Sequence, residues 1–172
     1  MGLSFFAPAK RPANERDRQR AVDQSGVLTA PPDATLHSIV TRAARLYGAP
    51  MAAVSIIDRH RQWFAARIGL ALPEMSRDIS FCAHAILQPG EPMVIADAMQ
   101  DDRFAGNPLV QELPWVRFYV GAPLGGAGHL PIGTLCVLDR VPRPGEVQTA
   151  GLIALARQAS AAIEELGHAA CT

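Results

Sequence analysis

Residues 132–139, Ile-Gly-Thr-Leu-Cys-Val-Leu-Asp, restrict the fold more than any other stretch of the chain. Read as a strand, the segment puts Ile132, Thr134, Cys136 and Leu138 on one face and Gly133, Leu135 and Val137 on the other. Both faces are fairly apolar. Such a strand is central, and something must pack on each side of its sheet.

The neighbouring patterns fill in that sheet. Residues 51–57 form a second, nearly continuous apolar run. The polar turn Asp58-Arg59-His60-Arg61 follows, and residues 62–68 return as a strand carrying Trp63 and Phe64. A link this short makes the two strands antiparallel. Residues 117–124 read as another strand, joined to 132–139 by the hairpin loop Gly125-Gly126-Ala127-Gly128, and residues 93–97 read as one more. Leu36, Ile39, Val40, Ala43, Ala44 and Tyr47 recur at helical spacing; Asp33 or Thr35 caps that helix and Gly48 with Pro50 stops it. A long helix is expected over 146–166, with the stripe Leu152, Leu155, Ala156, Ala159, Ile163 and Leu166 packing on the sheet, on the first amphipathic helix or on a partner copy. Asn14 caps a short charged helix from Glu15 onward, expected to be mostly solvated. Residues 78–87 predict a further short helix, and 69–92 and 101–113 are otherwise irregular.

This order predicts an α+β domain. A central antiparallel sheet of about five to six strands carries the N- and C-terminal helices on one face, and loops and short helices form a ligand pocket on the other. The 172 residues suit one domain over 14–168, with a flexible leader at 1–13 and a tail at 169–172.

Charge narrows the partners. Sixteen Lys and Arg balance sixteen Asp and Glu, so no basic face for nucleic acid or for an acidic membrane surface is expected. No apolar run approaches a membrane span, and Met1-Gly2-Leu3-Ser4 lacks the features of a signal peptide or a myristoylation site. Cys82, Cys136 and Cys171 are an odd, widely spaced set, which predicts reduced thiols and a cytoplasmic protein.

Several segments together resemble the GAF domain family of bacterial sensory proteins, of the type found with histidine kinases and diguanylate cyclases. They are Arg61-Gln62-Trp63-Phe64, the run from Arg77 through Ser80-Phe81-Cys82-Ala83-His84 to Ile86, the run from Asp102 to Val110, the run from Arg117 to Leu124, and residues 132–139. The resemblance covers about 14–166 in the family's order. It implies a GAF/PAS-like fold, a small-molecule pocket on one sheet face and a homodimer joined through terminal helices. No kinase, cyclase or DNA-binding module accompanies the segment, so a histidine kinase or diguanylate cyclase is the expected partner. The ligand and any cofactor stay unknown at this point.

Pocket residues are expected among Phe81, Cys82, His84, Asp97, Arg103, Phe104, Trp115, Phe118 and Tyr119. Each also has a structural reading, as core aromatic, helix cap or loop salt bridge. Cys82 and His84 are the most suggestive pair. On a helix, residues two apart diverge and chelate one metal poorly, whereas in an extended segment they share a face, so geometry leaves the question open; no further Cys or His cluster has suitable spacing, and no metal is assigned. Within the family, bilin attachment disagrees with Ala83 standing between Cys82 and His84, and the cyclic-nucleotide signature is absent. No acid–base or nucleophile set is assembled, which predicts a non-catalytic domain. The alternative is a thiol-based redox sensor, or an enzyme like the free methionine sulfoxide reductases, using Cys82 with Cys136 as a second thiol. Cys136 alternates with apolar residues and reads as core.

Overall fold

The two apolar runs on either side of the Asp58–Arg61 turn pair as strands β1 (Met51–Asp58) and β2 (Arg61–Ile68), antiparallel, with a bulge in β2 opposite Val54 and Ser55. In the computed structural model, which describes residues 5–172, they belong to a six-stranded antiparallel sheet. The other strands are β3 (Glu74–Ser76), β4 (Met93–Ile95), β5 (Phe118–Gly125) and β6 (Pro131–Asp139), in the order β3-β2-β1-β6-β5-β4. β6 is central, paired with β1 and β5, as its two apolar faces require. Its backbone lies so close to β1 that a Cβ at Gly133 would strike the Ser55 carbonyl.

Three helices cover one face: α1 (Glu15–Gln24), α2 (Ala34–Tyr47) and, after the short α3 (Phe81–Ala85) and α4 (Pro108–Gln111), α5 (Ala150–Ala170). Asp33 caps α2 by accepting from Leu36 N at 2.9 Å, and Gly48 ends it in the left-handed region at φ 56°. The stripes of α2 and α5, with Ala21 and Val22 of α1, form one core with Val54, Ile56, Phe118, Val120, Leu135 and Val137. The α5 stripe is therefore buried within the chain. On the opposite face Met51, Ala53, Ile57, Phe64, Tyr119, Cys136 and Leu138 meet α3 and α4 in a second core.

Four expectations need correction. α1 is not mostly solvated: Arg18 is 0% exposed and donates to Ile57 O at 2.8 Å and to the Glu15 carboxylate at 2.9 Å. The helix expected over 78–87 divides at Ser80, which ends a 3-10 turn (Arg77–Ile79) and caps α3 by accepting from Ala83 N at 3.0 Å. The long helix starts at Ala150, because residues before it are held by the core: Val147 packs there and Gln148 O accepts from Tyr47 Oη at 2.7 Å. It then runs past Gly167, whose missing side chain admits the close approach of Ser25. Finally, the stretch expected as a flexible leader is tied down where it is described. Ala7 N donates to Arg103 O at 3.0 Å, Ala7 O accepts from His84 Nε2 at 2.8 Å, and Ala9 packs against the second core. Met1 to Ser4, with the readings made on them, lie outside the described residues. No helix among the described residues is long and apolar enough to cross a membrane.

Candidate functional site

The alternation of the three central strands sends a set of polar side chains to the face opposite the long helices. Ser55 of β1 stands opposite Thr134 of β6, and Gly121 of β5 stands opposite Cys136. A methyl group at Gly121 would collide with the Tyr119 phenol, so glycine lets that ring lie along its own strand. The phenol then reaches α3. Tyr119 Oη donates to Cys82 Sγ at 3.2 Å, and Thr134 Oγ1 donates to the same sulfur at 3.0 Å. Ser80 fixes α3 over this point, since its hydroxyl also donates to Gln62 Oε1 on β2. Ser55 Oγ leans toward the sulfur from β1 without completing a sound hydrogen bond; it is buried and has no partner among the described residues.

Electrostatics follow from these contacts. Burial pushes the Cys82 thiol up, but hydrogen bonds from Cys136, Thr134 and Tyr119 more than offset it and bring the group to about 7. Cys136 moves the other way: its hydrogen bond to Cys82 and its burial hold it protonated well above the ordinary thiol value. Burial, and then the neighbouring Cys82 charge, likewise keep Tyr119 protonated. The arrangement is one polarised sulfur served by three protonated donors.

Cys82, Tyr119 and Cys136 of this cluster form the floor of a cavity of about 470 Å³. Two flaps wall it, residues 69–72 after β2 and residues 108–116 including α4. Phe64, Leu70, Met75, Leu109, Val116 and Leu138 supply apolar walls; Gln62, Glu112 and Arg140 are the polar ones besides the floor. Asn107, itself buried, ties the second flap down by donating to Ile79 O at 3.1 Å and accepting from Leu109 N at 2.9 Å. A larger hollow of about 740 Å³ lies beside α5 and the β5–β6 hairpin, away from the sulfur cluster. The smaller cavity is the one that reaches chemistry.

Of the residues singled out in the sequence, Phe81, Cys82 and Tyr119 line this cavity. Phe104 sits behind Phe81, stacked at 4.1 Å between centroids. His84 faces away from the sulfur, edge-on to Phe104 and bonded to Ala7; burial there holds its imidazole below the ordinary value. Phe118 is on the wrong face, packed with Tyr47 and Arg143 in the helix-side core, because β5 alternates. Asp97 caps a 3-10 turn (Ala98–Gln100), and Arg103 pairs with Asp101 at 2.8 Å on the surface. Trp115, at φ 61°, is 44% exposed and outside the cavity. Gln62, Ser55 and Thr134 were missed, although Thr134 already shared a face with Cys136 in the strand reading. Among the described residues no three His, Cys, Asp or Glu side chains gather as a metal-holding group.

Known proteins share this architecture. A cyclic di-GMP phosphodiesterase of Pseudomonas aeruginosa is 47% identical over 132 residues, which are 77% of this chain. The chain spans only 22% of that protein's length. The GAF domain of an Acinetobacter phosphoenolpyruvate-protein phosphotransferase superposes with a TM-score of 0.63 at 17% identity, covering 91% of this chain and 97% of that one. The free methionine-R-sulfoxide reductase of Neisseria meningitidis, solved with its substrate, gives 0.60 at 19% identity over 99% of both chains. These two likenesses speak for the fold. The GAF domain family matches residues 31–163, and the chain belongs to it.

Proposed function

We propose that this GAF domain is a regulatory, ligand-binding unit of bacterial signal transduction, whose ligand is a small, mainly apolar molecule held in the 470 Å³ cavity. The cavity itself carries the reading: its volume is in the range of small-molecule sites, and two short flaps lean over a rigid sheet floor. Its charged wall groups are one carboxylate, Glu112, and one guanidinium, Arg140, so an uncharged or zwitterionic ligand suits it better than a polyanion. Phe81, Cys82, Tyr119 and Gln62 are the proposed contacts at the closed end. Native mass spectrometry of freshly purified protein tests this. An added mass is expected that disappears on denaturation and is absent in Leu109→Trp, which fills the cavity. Protein without any such mass, and without a thermal upshift against a panel of small apolar compounds, would overturn the reading.

The output of such a unit is a histidine kinase, a diguanylate cyclase or, as in the Pseudomonas relative, a phosphodiesterase, in the cytoplasm where its free cysteines stay reduced. Homodimerisation belongs to the same reading, but it must use the outer faces of α1 and α5, because the α5 stripe and the apolar Ala21 and Val22 of α1 are buried in the chain's own core. Light scattering at high concentration checks it.

A second reading, a thiol reductase, draws on the polarised Cys82 at the cavity floor. Turnover of free methionine sulfoxide with thioredoxin, thioredoxin reductase and NADPH, lost in Cys82→Ser, would establish it. Absence of turnover would end it.

A further inference from the structure

We propose that Cys82 and Cys136 are a redox-switchable pair: a hydroperoxide admitted through the cavity oxidises them to a disulfide that ties α3 to β6. The switch uses the same cavity but needs no resident ligand.

Four observations carry this. The two thiols come from different elements, 54 positions apart in the chain; both are buried, and Thr134, which bonds the Cys82 sulfur, shares a face of β6 with Cys136. Both border the cavity, so parting of its two flaps would bring a small neutral molecule to them. The Cys82 sulfur accepts two hydroxyl hydrogen bonds, from Tyr119 and Thr134, which favours the thiolate over the thiol. Ser55 Oγ, buried and unpartnered among the described residues, points into the cluster. An oxygen placed on the sulfur would give that hydroxyl the partner it lacks.

The steps balance. The Cys82 thiolate attacks the terminal oxygen of the hydroperoxide; the S–O bond forms, the O–O bond breaks, and the leaving alkoxide takes up the proton that Cys82 released, becoming an alcohol. Cys82 is then a sulfenic acid, two electrons more oxidised. Cys136 attacks that sulfur; the S–S bond forms, the S–O bond breaks, and hydroxide leaves with the Cys136 proton as water. One hydroperoxide and two thiols give one disulfide, one alcohol and one water. In this second step Cys136 acts as the thiolate, its proton passing to the departing hydroxide as the S–S bond forms.

The test uses the full chain with the exposed Cys171 changed to Ser, reduced, desalted and exposed to cumene hydroperoxide. Both remaining thiols should be lost together, and non-reducing digestion should yield a peptide linking positions 82 and 136, reversed by dithiothreitol. In Cys136→Ser the reaction should stop at Cys82 sulfenic acid, trapped by dimedone; in Cys82→Ser the Cys136 thiol should persist. The mapped cross-link decides the matter even if a variant fails to fold. Thiols that stay reduced while glutathione in the same tube is oxidised, or Cys82 oxidation without linkage to Cys136, would overturn the proposal. A retained ligand beside inert thiols would overturn this switch and leave the binding reading standing. Linkage in ligand-free protein would do the reverse.

Discussion

Phe118 and Tyr119 are adjacent in the sequence and belong to different cores. The period-two rule of a strand separates them, and it equally gathers Ser55, Thr134 and Cys136 on one side. That gathering was half legible. The alternation of 132–139 put Thr134 with Cys136, but only the register between β1 and β6 brings Ser55 opposite, and register is not written in either strand alone. The divergence of Cys82 and His84 was legible only on condition that the segment is helical, since an extended one would put both on one face; α3 meets that condition. The Tyr119 phenol makes a testable contribution. In wild-type protein the alkylation of Cys82 by iodoacetamide should rise through a midpoint near the value of about 7 set by its hydrogen bonds. Tyr119→Phe keeps the ring and removes the donor, so the midpoint should move upward, and Thr134→Val should move it in the same direction. An unchanged midpoint in both would show that burial, not hydrogen bonding, governs this sulfur. Gly121→Ala attacks the same point sterically: its methyl displaces the phenol, with a stability loss of roughly 1–3 kcal/mol, read by urea unfolding.

At the scale of elements, α1 is where the sequence misled. A run such as Glu15-Arg16-Asp17-Arg18 has the look of a solvated helix, since no propensity or periodicity distinguishes a buried arginine from an exposed one. The structure seals Arg18 under β1 and β6, and Glu15 holds both Arg18 and Arg77. α1 is thereby locked to the segment that leads into α3. β3 escaped notice because three residues carry no usable pattern, whereas α2, β1 and β6 were plain from long apolar periodicity. The lock sets a pH dependence. Burial alone would raise the Glu15 carboxyl, but its hydrogen bonds from Arg18 and Arg77 lower it from 4.5 to about 2. A carboxyl depressed in the folded state stabilises fully above its unfolded value, and that stabilisation is lost as pH falls through the folded one. Urea midpoints should therefore drop between about pH 5 and pH 2 in wild type, and less so in Glu15→Gln. At neutral pH Glu15→Gln strands a buried guanidinium and should cost on the order of 3 kcal/mol. Parallel pH profiles for the two proteins would refute the assignment.

For the whole molecule, one sheet separates two kinds of cover. The helix side is a continuous core of three helices on four strands, as the apolar stripes foretold; the short links foretold the β1–β2 and β5–β6 pairs, but not the β1–β6 pair that joins them, which forms only through long-range pairing. The cavity side is covered by short pieces, a five-residue helix, a four-residue helix and loops, around space that is not filled. Stability should follow that division. Leu152 on α5 is wholly buried, and Leu152→Ala should cost about 2–5 kcal/mol, because it opens a void in packed surroundings. Leu109 on the flap is only partly buried and already borders a cavity, so Leu109→Ala should cost about 1 kcal/mol. Amide exchange should rank the same way, with residues 69–72 and 108–116 exchanging through local opening while β1, β6 and α5 exchange only with global unfolding. Such a division lets the flaps part without disturbing the packed helix face. Equal losses at Leu152 and Leu109, or equal protection of flaps and central strands, would mean that the two faces open as one unit, and the cavity could then be entered only by unfolding the domain.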